Sequence, residues 1–321
     1  MGATRIRSNC PGAQVAARRQ TLLARLDVAE GHLRASHAPR AGGWWSPMAQ
    51  VLTLLESEQF RVLDSRCRHP RAGPAEERGG DPGHLVLLRR GCFSYHRGLR
   101  RFVADPCTAL LHHPRVDYRV GHPGAEGDDA TVIKLSPELF DELWGRRGPD
   151  HPELGLSAAV HLRHARVCAA LRDPGGDRLS REETVFALLE VAASDRQRAE
   201  APARGDRGAR RRTVGRVRAL LAAQLSANLS LDTVAREARC SPFHLMRLFH
   251  AETGLSLRAW RRQLRVLTAL QRLSEGEQDL AGLALELGFS HHSHLSQSVR
   301  QVLGSSPARL REELRRVRAG S

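Results

Sequence analysis

Two stripes of apolar residues toward the C-terminal end of the chain share one spacing. Leu231, Val234, Ala235 and Ala238 recur at i, i+3, i+4 and i+7, and Leu280, Leu283, Ala284 and Leu287 repeat the pattern, so each set marks one face of an amphipathic helix. A short polar turn follows each, Arg239-Cys240-Ser241 or Gly288-Phe289-Ser290, and then a second apolar stripe: Leu245, Leu248 and Phe249 in the first copy, Leu295, Val299 and Val302 in the second. Ala235 and Ala284 stand four residues before Arg239 and Gly288, where a small side chain lets the next helix cross closely. The pattern predicts a helix-turn-helix twice over, with the second helix of each unit suited to the DNA major groove. Between the copies Trp260, Leu264, Leu267 and Leu270 predict a long amphipathic helix over 257–273, a rod that sets the separation of two reading heads. If both heads enter one face of the duplex, their recognition helices stand about 34 Å apart.

Upstream the periodicity changes. From about 51 to 135, short apolar runs (Leu85–Leu88, Cys92–Tyr95, Leu99–Ala104, Ala109–Leu111, Val116–Val120, Thr131–Leu135) are broken by Asp81-Pro82-Gly83, Arg97-Gly98, Asp105-Pro106, His113-Pro114 and Pro123-Gly124. This predicts an antiparallel sandwich or barrel. Ser136-Pro137-Glu138 opens a helical segment, with helices expected at 137–146, 153–172 and 180–195, the last started by a Ser180/Glu183 capping box. Leu156, Val160, His164 and Val167 share one face, and Val185, Leu188, Leu189 and Ala192 another. Those faces suit a dimer interface or packing back onto the barrel, and both readings stay open. The plan is α+β: a basic stretch 1–47, either a disordered arm or an over-extended start before Met48; a β-barrel-like domain 48–135; a helical dimerisation or packing segment 136–195; a flexible linker 196–212; and a double helix-turn-helix domain 213–321. Within the basic stretch, one helix is expected at Val15–Leu33.

The run SLDTVAREARCSPFHLMRLFHAETGLSLRAW, followed by LAGLALELGFSHHSHLSQSVRQVLGSSPARLR, resembles the DNA-binding domain of the AraC/XylS family of bacterial transcription regulators. Its most specific pieces are Phe249-His250-Ala251-Glu252-Thr253-Gly254 and Gly288-Phe289-Ser290 with Gly304-Ser305-Ser306-Pro307. The resemblance covers about the last third of the chain. It implies a cupin-like half-barrel upstream that senses a small-molecule effector, contact with RNA polymerase, and activation more often than repression.

In the first recognition helix Ser241 caps, Pro242 opens, and the face opposite the core holds Phe243, Met246, Arg247 and His250. Arg247 is the leading base reader, because its planar fork can donate two bonds to guanine O6 and N7. Phe243 and Met246 would meet thymine methyl groups or pack on a neighbouring helix. Resemblance supports these positions, since the family places base contacts early on this helix. The second helix offers Ser293, Ser296, Gln297 and Arg300, with His291 and His292 at its start. Gln297 stands where the family often has a basic residue, and Val299 and Leu310 where aromatics are usual, so this head is expected to give phosphate contacts and affinity more than specificity. His244 and His294 occupy equivalent positions near the helix starts, within reach of phosphate. His291, His292 and His294 lack a nearby carboxylate or cysteine, so no metal is expected there. The offset between copies is 49 at Leu231/Leu280 and 50 at Leu245/Leu295. The second turn therefore carries one extra residue, and Arg239 falls where Gly288 supplies freedom for a positive φ.

Charge agrees with a polyanionic partner. The chain has 50 Lys plus Arg against 35 Asp plus Glu, a formal +15, and residues 207–321 alone hold 20 arginines against 9 acidic residues. Double-stranded DNA is the expected partner. Lys134 is the only lysine. Six cysteines lie scattered without CxxC spacing, which gives neither a disulfide framework nor a structural zinc motif. No apolar run approaches a membrane span, and a reducing cytoplasm is expected. Neither cofactor nor catalysis is expected. Cys67, His69, Cys92, His96, Cys107, His112, His113 and His122 nonetheless leave room for a metal- or thiol-based sensor, or for a cupin-type enzyme with an appended DNA-binding domain; an architectural DNA-coating protein is a third class. Within the barrel Phe93, Tyr95, Phe102 and Tyr118 are candidates to line an effector pocket.

Overall fold

The computed structural model describes residues 49–68, 76–78, 82–122, 127–146, 148, 151–172, 176–199 and 207–319. The basic stretch 1–47, the Val15–Leu33 helix expected in it, and His69 lie outside these residues. Ten strands are described: β1 (Ala49–Glu56), β2 (Phe60–Cys67), β3 (Glu76–Arg78), β4 (His84–Gly91), β5 (Phe93–Arg97), β6 (Arg100–Ala104), β7 (Thr108–His112), β8 (Tyr118–Gly121), β9 (Asp128–Leu135) and β10 (Glu153–Gly155). They form a six-stranded sheet in the order β1-β2-β9-β4-β7-β10 and a four-stranded sheet in the order β3-β8-β5-β6. Every pairing within them is antiparallel.

The larger sheet is apolar on both faces, which explains the unbroken run in β4. Side chains alternate along a strand. Leu85 and Leu87 therefore join one core with Val62, Leu111 and Ile133, while Val86 and Leu88 join another with Leu63, Leu110 and Val132, shared with Phe93, Tyr95 and Tyr118 of the second sheet.

Helices cover the outer face. Ser136 caps α1 (Pro137–Trp144), its Oγ accepting from the Leu139 N–H at 3.2 Å. Then come α2 (Ala158–Ala170) and α3 (Arg178–Ala199). Val160 and Val167 of α2, and Val185, Leu188, Leu189 and Ala192 of α3, are buried in the core they share with the sheet. Packing back onto the barrel thus accounts for these faces. Two expectations are corrected. Residues 153–155 form strand β10 against β7, with Leu154 opposite Ala109, so α2 starts at 158 behind its Ser157 cap. The third helix begins at Arg178, before Ser180, and the Ser180 N–H is taken by the Asp177 carboxylate at 2.8 Å. A preceding aspartate thus fills the place expected for a Ser180/Glu183 box.

The stretch expected as linker is largely helical at its ends: α3 reaches Ala199 and α4 (Arg207–Ala223) starts at Arg207, with 200–206 outside the described residues. Beyond it lie α5 (Leu231–Ala238), α6 (Pro242–Thr253), α7 (Leu257–Glu275), α8 (Leu280–Glu286), α9 (His292–Leu303) and α10 (Pro307–Arg318). These helices share one core, which also takes in Cys107 from the β-rich region and Ala165 and Ala169 from α2. The close approach is visible at Gly215 on α4, where a Cβ would fall 2.9 Å from Val103 of β6.

Candidate nucleic-acid interface

Most expected core positions of the two helix-turn-helix units are buried, and Leu231, Leu280 and Val302 are half-buried against the same core. Ala235 and Ala284 are at the helix crossings, Leu245 and Phe249 lie under the first recognition helix, and Leu295 and Val299 under the second. The two turns close alike. Cys240 N–H donates to Ala235 O at 3.1 Å and Phe289 N–H to Ala284 O at 2.8 Å, a 6→1 bond around one left-handed residue. That residue is Gly288 (φ +77°) in the second copy and Arg239 (φ +58°) in the first, the one non-glycine with positive φ among the described residues. The extra residue of the second turn is absorbed after this point. Ser241 caps α6 directly after Cys240, whereas Ser290 precedes the cap of α9, which is His291.

The faces turned away from the core carry the candidates. Phe243, His244, Met246, Arg247 and His250 on α6 are all exposed, with Phe243 at 65% and Met246 at 45%. These two large apolar groups face solvent over much of their surface. The Arg247 guanidinium lies over the Phe243 ring, 5.7 Å from its centroid, a cation–π contact that holds the fork on the exposed face. On α9 His292, Ser293, His294, Gln297 and Arg300 are exposed and Ser296 is half-buried. The His291 ring is committed to the cap: Nδ1 accepts from the His294 N–H at 3.2 Å. His294 stands edge-on to Phe289 and is 3.3 Å from Ser290 Oγ through its Nδ1. Among the described residues these histidines gather no carboxylate or thiol into a metal-capable group.

Two arginines that periodicity does not single out hold the heads in place. Arg265, midway along α7, donates to Leu225 O and Gly288 O, both at 2.8 Å, and lies 5.7 Å over Phe289. Burial, with Arg261 nearby, brings its pKa down to about 10. Arg218 on α4 donates to Asp105 Oδ2 at 2.7 Å and Thr108 Oγ1 at 2.8 Å, pairs with Glu153, and stacks 4.9 Å from the Trp260 ring centroid. One guanidinium thus joins the β-rich region to the connecting rod. Burial pushes the Asp105 carboxyl up, against the pull of Arg218 and of the Cys107 N–H.

The four effector-pocket candidates do come together. Tyr95 and Tyr118 stack at 5.0 Å between centroids, and Phe93 and Phe102 belong to the same core. They are packed against one another, and the Tyr95 hydroxyl meets His112 Nδ1 at 3.0 Å. A recess with about 20 Å³ of room lies elsewhere, between Leu88 and Arg89 of β4, His161 and His164 of α2, and Leu270 and Gln271 of α7. That volume suits a water or two. Among the described residues no helix is long and apolar enough to cross a membrane.

Comparison with known proteins agrees with this geometry. A family model described as a helix-turn-helix domain matches residues 234–313. The probable transcription factor PqrA of Proteus vulgaris is 31% identical over 89 residues, 28% of this chain and 73% of its own. The chain belongs to the AraC/XylS family of transcription regulators. Similarity to another relative runs well beyond the reading heads: the thermoregulatory protein LcrF of Yersinia pestis is 24% identical over 271 residues, 84% of this chain and 93% of the relative. Among solved structures, ToxT from Vibrio cholerae O395 aligns with 80% of this chain and 99% of its own at 12% identity and a TM-score of 0.34. As in its AraC/XylS relatives, the function of this chain is DNA-binding transcription regulation.

Proposed function

We propose that the chain is an effector-responsive activator, acting in the cytoplasm, whose two recognition helices read adjacent major-groove segments of one asymmetric site. The observation that carries this reading is the exposed α6 face, with Arg247 held over Phe243 beside Met246. An arginine fork on a face shared with two solvent-facing apolar side chains matches guanine next to thymine methyl groups. On α9, Ser293, Gln297 and Arg300 add a weaker, largely phosphate-directed surface, with His292 and His294 alongside. Activation and contact with RNA polymerase follow from the family; the VirF relative of Yersinia enterocolitica is named as a virulence regulon transcriptional activator. A homodimer is a further partner state consistent with the family.

Effector control acts, in this reading, on the seam between the β-rich region and the heads. Arg218 and the recess beside His161 and His164 support that position over the closed aromatic core of Phe93, Tyr95, Phe102 and Tyr118. Selection of bound sequences from a random DNA pool by the full-length protein tests the proposal. One enriched asymmetric motif spanning two adjacent groove segments is expected, with preference at one position relaxed in Arg247→Ala. Enrichment of no motif would overturn it.

A further inference from the structure

Cys67 and Asp128 face each other at the end of the β2/β9 ladder. By alternation Cys67 shares the face of Leu63, and Asp128 the face of Ala130 and Val132, which is the interior of the sandwich. His122 follows β8 of the other sheet and brings Nε2 to 2.9 Å from Asp128 Oδ2, while also hydrogen-bonding Cys67. Both Cys67 and Asp128 are buried, at 4% and 5% exposure. The backbone is drawn in tightly here: Gly127 has φ +69°, and a Cβ on it would lie 2.0 Å from Cys67 O. On the other flank of Asp128 the register partner is Gly91, which places no side chain over the carboxylate.

The three donor atoms, a sulfur, an imidazole nitrogen and a carboxylate oxygen, all lie within 4.8 Å of one another. Around a tetrahedral zinc ion such donors stand about 3.3–3.7 Å apart, given bond lengths of about 2.0–2.3 Å. Small side-chain rotations therefore suffice to converge them. Hydrogen bonds now occupy the space a cation would take. Burial alone would lower His122, but its bonds to Asp128 and Cys67 prevail and hold it up at about 10.

We propose that Cys67, His122 and Asp128 form a site for a borderline-soft divalent cation such as Zn2+, clipping β2, β8 and β9 together at one end of the sandwich. The mixed sulfur, nitrogen and oxygen set matches such an ion, and three protein ligands leave a fourth position for water. Binding releases the imidazolium proton and the thiol proton to solvent as the metal takes their place. A hydrogen-bonded triad that never holds metal is the competing reading. No DNA contact enters the argument, so it stands apart from the assignment of the reading heads.

The test uses full-length protein purified without a histidine tag and titrated with Co2+ and Zn2+. One Co2+ per chain is expected, with a thiolate-to-cobalt charge-transfer band in the near ultraviolet. Cys67→Ser should abolish the band. His122→Gln and Asp128→Asn should each weaken Zn2+ binding, measured by chelator competition, by more than about 100-fold, since even outer-shell partners of a metal are worth about 10–100-fold. His294→Ala removes an exposed ring outside the cluster and should leave Co2+ uptake and the thiolate band as in the wild type, whatever it does to DNA binding. The proposal fails if the folded wild type takes up no Co2+, if its Co2+ spectrum lacks the thiolate band, or if metal is lost with His294→Ala and kept with Cys67→Ser. The wild-type spectrum decides the matter even where a variant does not fold.

Discussion

Arg218 Nε donates to Asp105 Oδ2 across 2.7 Å, with side-chain exposures of 7% and 0%. A charge pair so far from water is stabilising only relative to its broken forms. Asp105→Asn or Arg218→Met alone should each cost about 3–5 kcal/mol, because either leaves a buried partner uncompensated. The double variant should recover part of the loss, since the two changes share one interaction. Urea unfolding of the four proteins measures this; additive losses would show that the pair is not coupled.

Specificity should be unequal between the heads. Arg247→Ala is expected to cost about 1–3 kcal/mol on the selected site, and Gln297→Ala less. Fluorescence anisotropy on matched and single-mismatch duplexes separates the two. A larger loss at Gln297 would exchange their roles. Binding to either duplex should weaken steeply with salt, as arginines displace condensed counterions.

The αL position of the two turns is occupied differently, and that difference is measurable. Arg239→Gly should stabilise the chain by about 0.5–1 kcal/mol: it removes a left-handed penalty of about 1–2 kcal/mol, offset in part by greater freedom when unfolded. Gly288→Ala should do the reverse, and more strongly, because its Cβ would fall 2.6 Å from Ser226 O. Thermal melts of both variants check the asymmetry.

Acid should loosen the seam. Burial lowers His161 and His164 to about 3 from an ordinary 6.5, so both stay neutral in the folded chain while the unfolded chain takes up protons below 6.5. Their contribution to stability is therefore complete above about 6.5 and is lost as pH falls toward 3, by up to about 1.4 kcal/mol per pH unit for each ring. His164→Gln should flatten the fall in melting temperature between pH 7 and pH 4. An unchanged slope would assign the acid sensitivity to other groups.

Much of the reader was legible because each of its helices buries one stripe. Leu245, Phe249, Leu295 and Val299 fall inward because 3.6-residue periodicity leaves them no other face. Strands β4 to β9 were legible as runs bounded by turns, whereas β1, β2 and β3 were not singled out, and neither was the Glu153–Gly155 strand. Three residues give too short a pattern, and Glu153 is there to meet Arg218. Arg218 and Arg265 were hidden for a related reason: in an arginine-rich chain, sequence does not separate a buried arginine from a solvated one. The His122–Asp128 pair joins strands from different sheets, which no local spacing encodes.

The connecting helix α7 is 19 residues long, about 28 Å at 1.5 Å per residue. Trp260 near its start meets Phe249 of the first head, and Arg265 at its middle grips the turn of the second. A strut fastened at both places neither stretches nor swivels, so on the proposed two-headed reading operator length becomes part of what is recognised. Inserting about five base pairs between the two half-sites would turn the second onto the far side of the duplex, about half of the 10–10.5 base-pair helical repeat. Inserting a whole repeat would restore its phase but leave it out of reach. On that reading, spacing carries information as surely as base identity does.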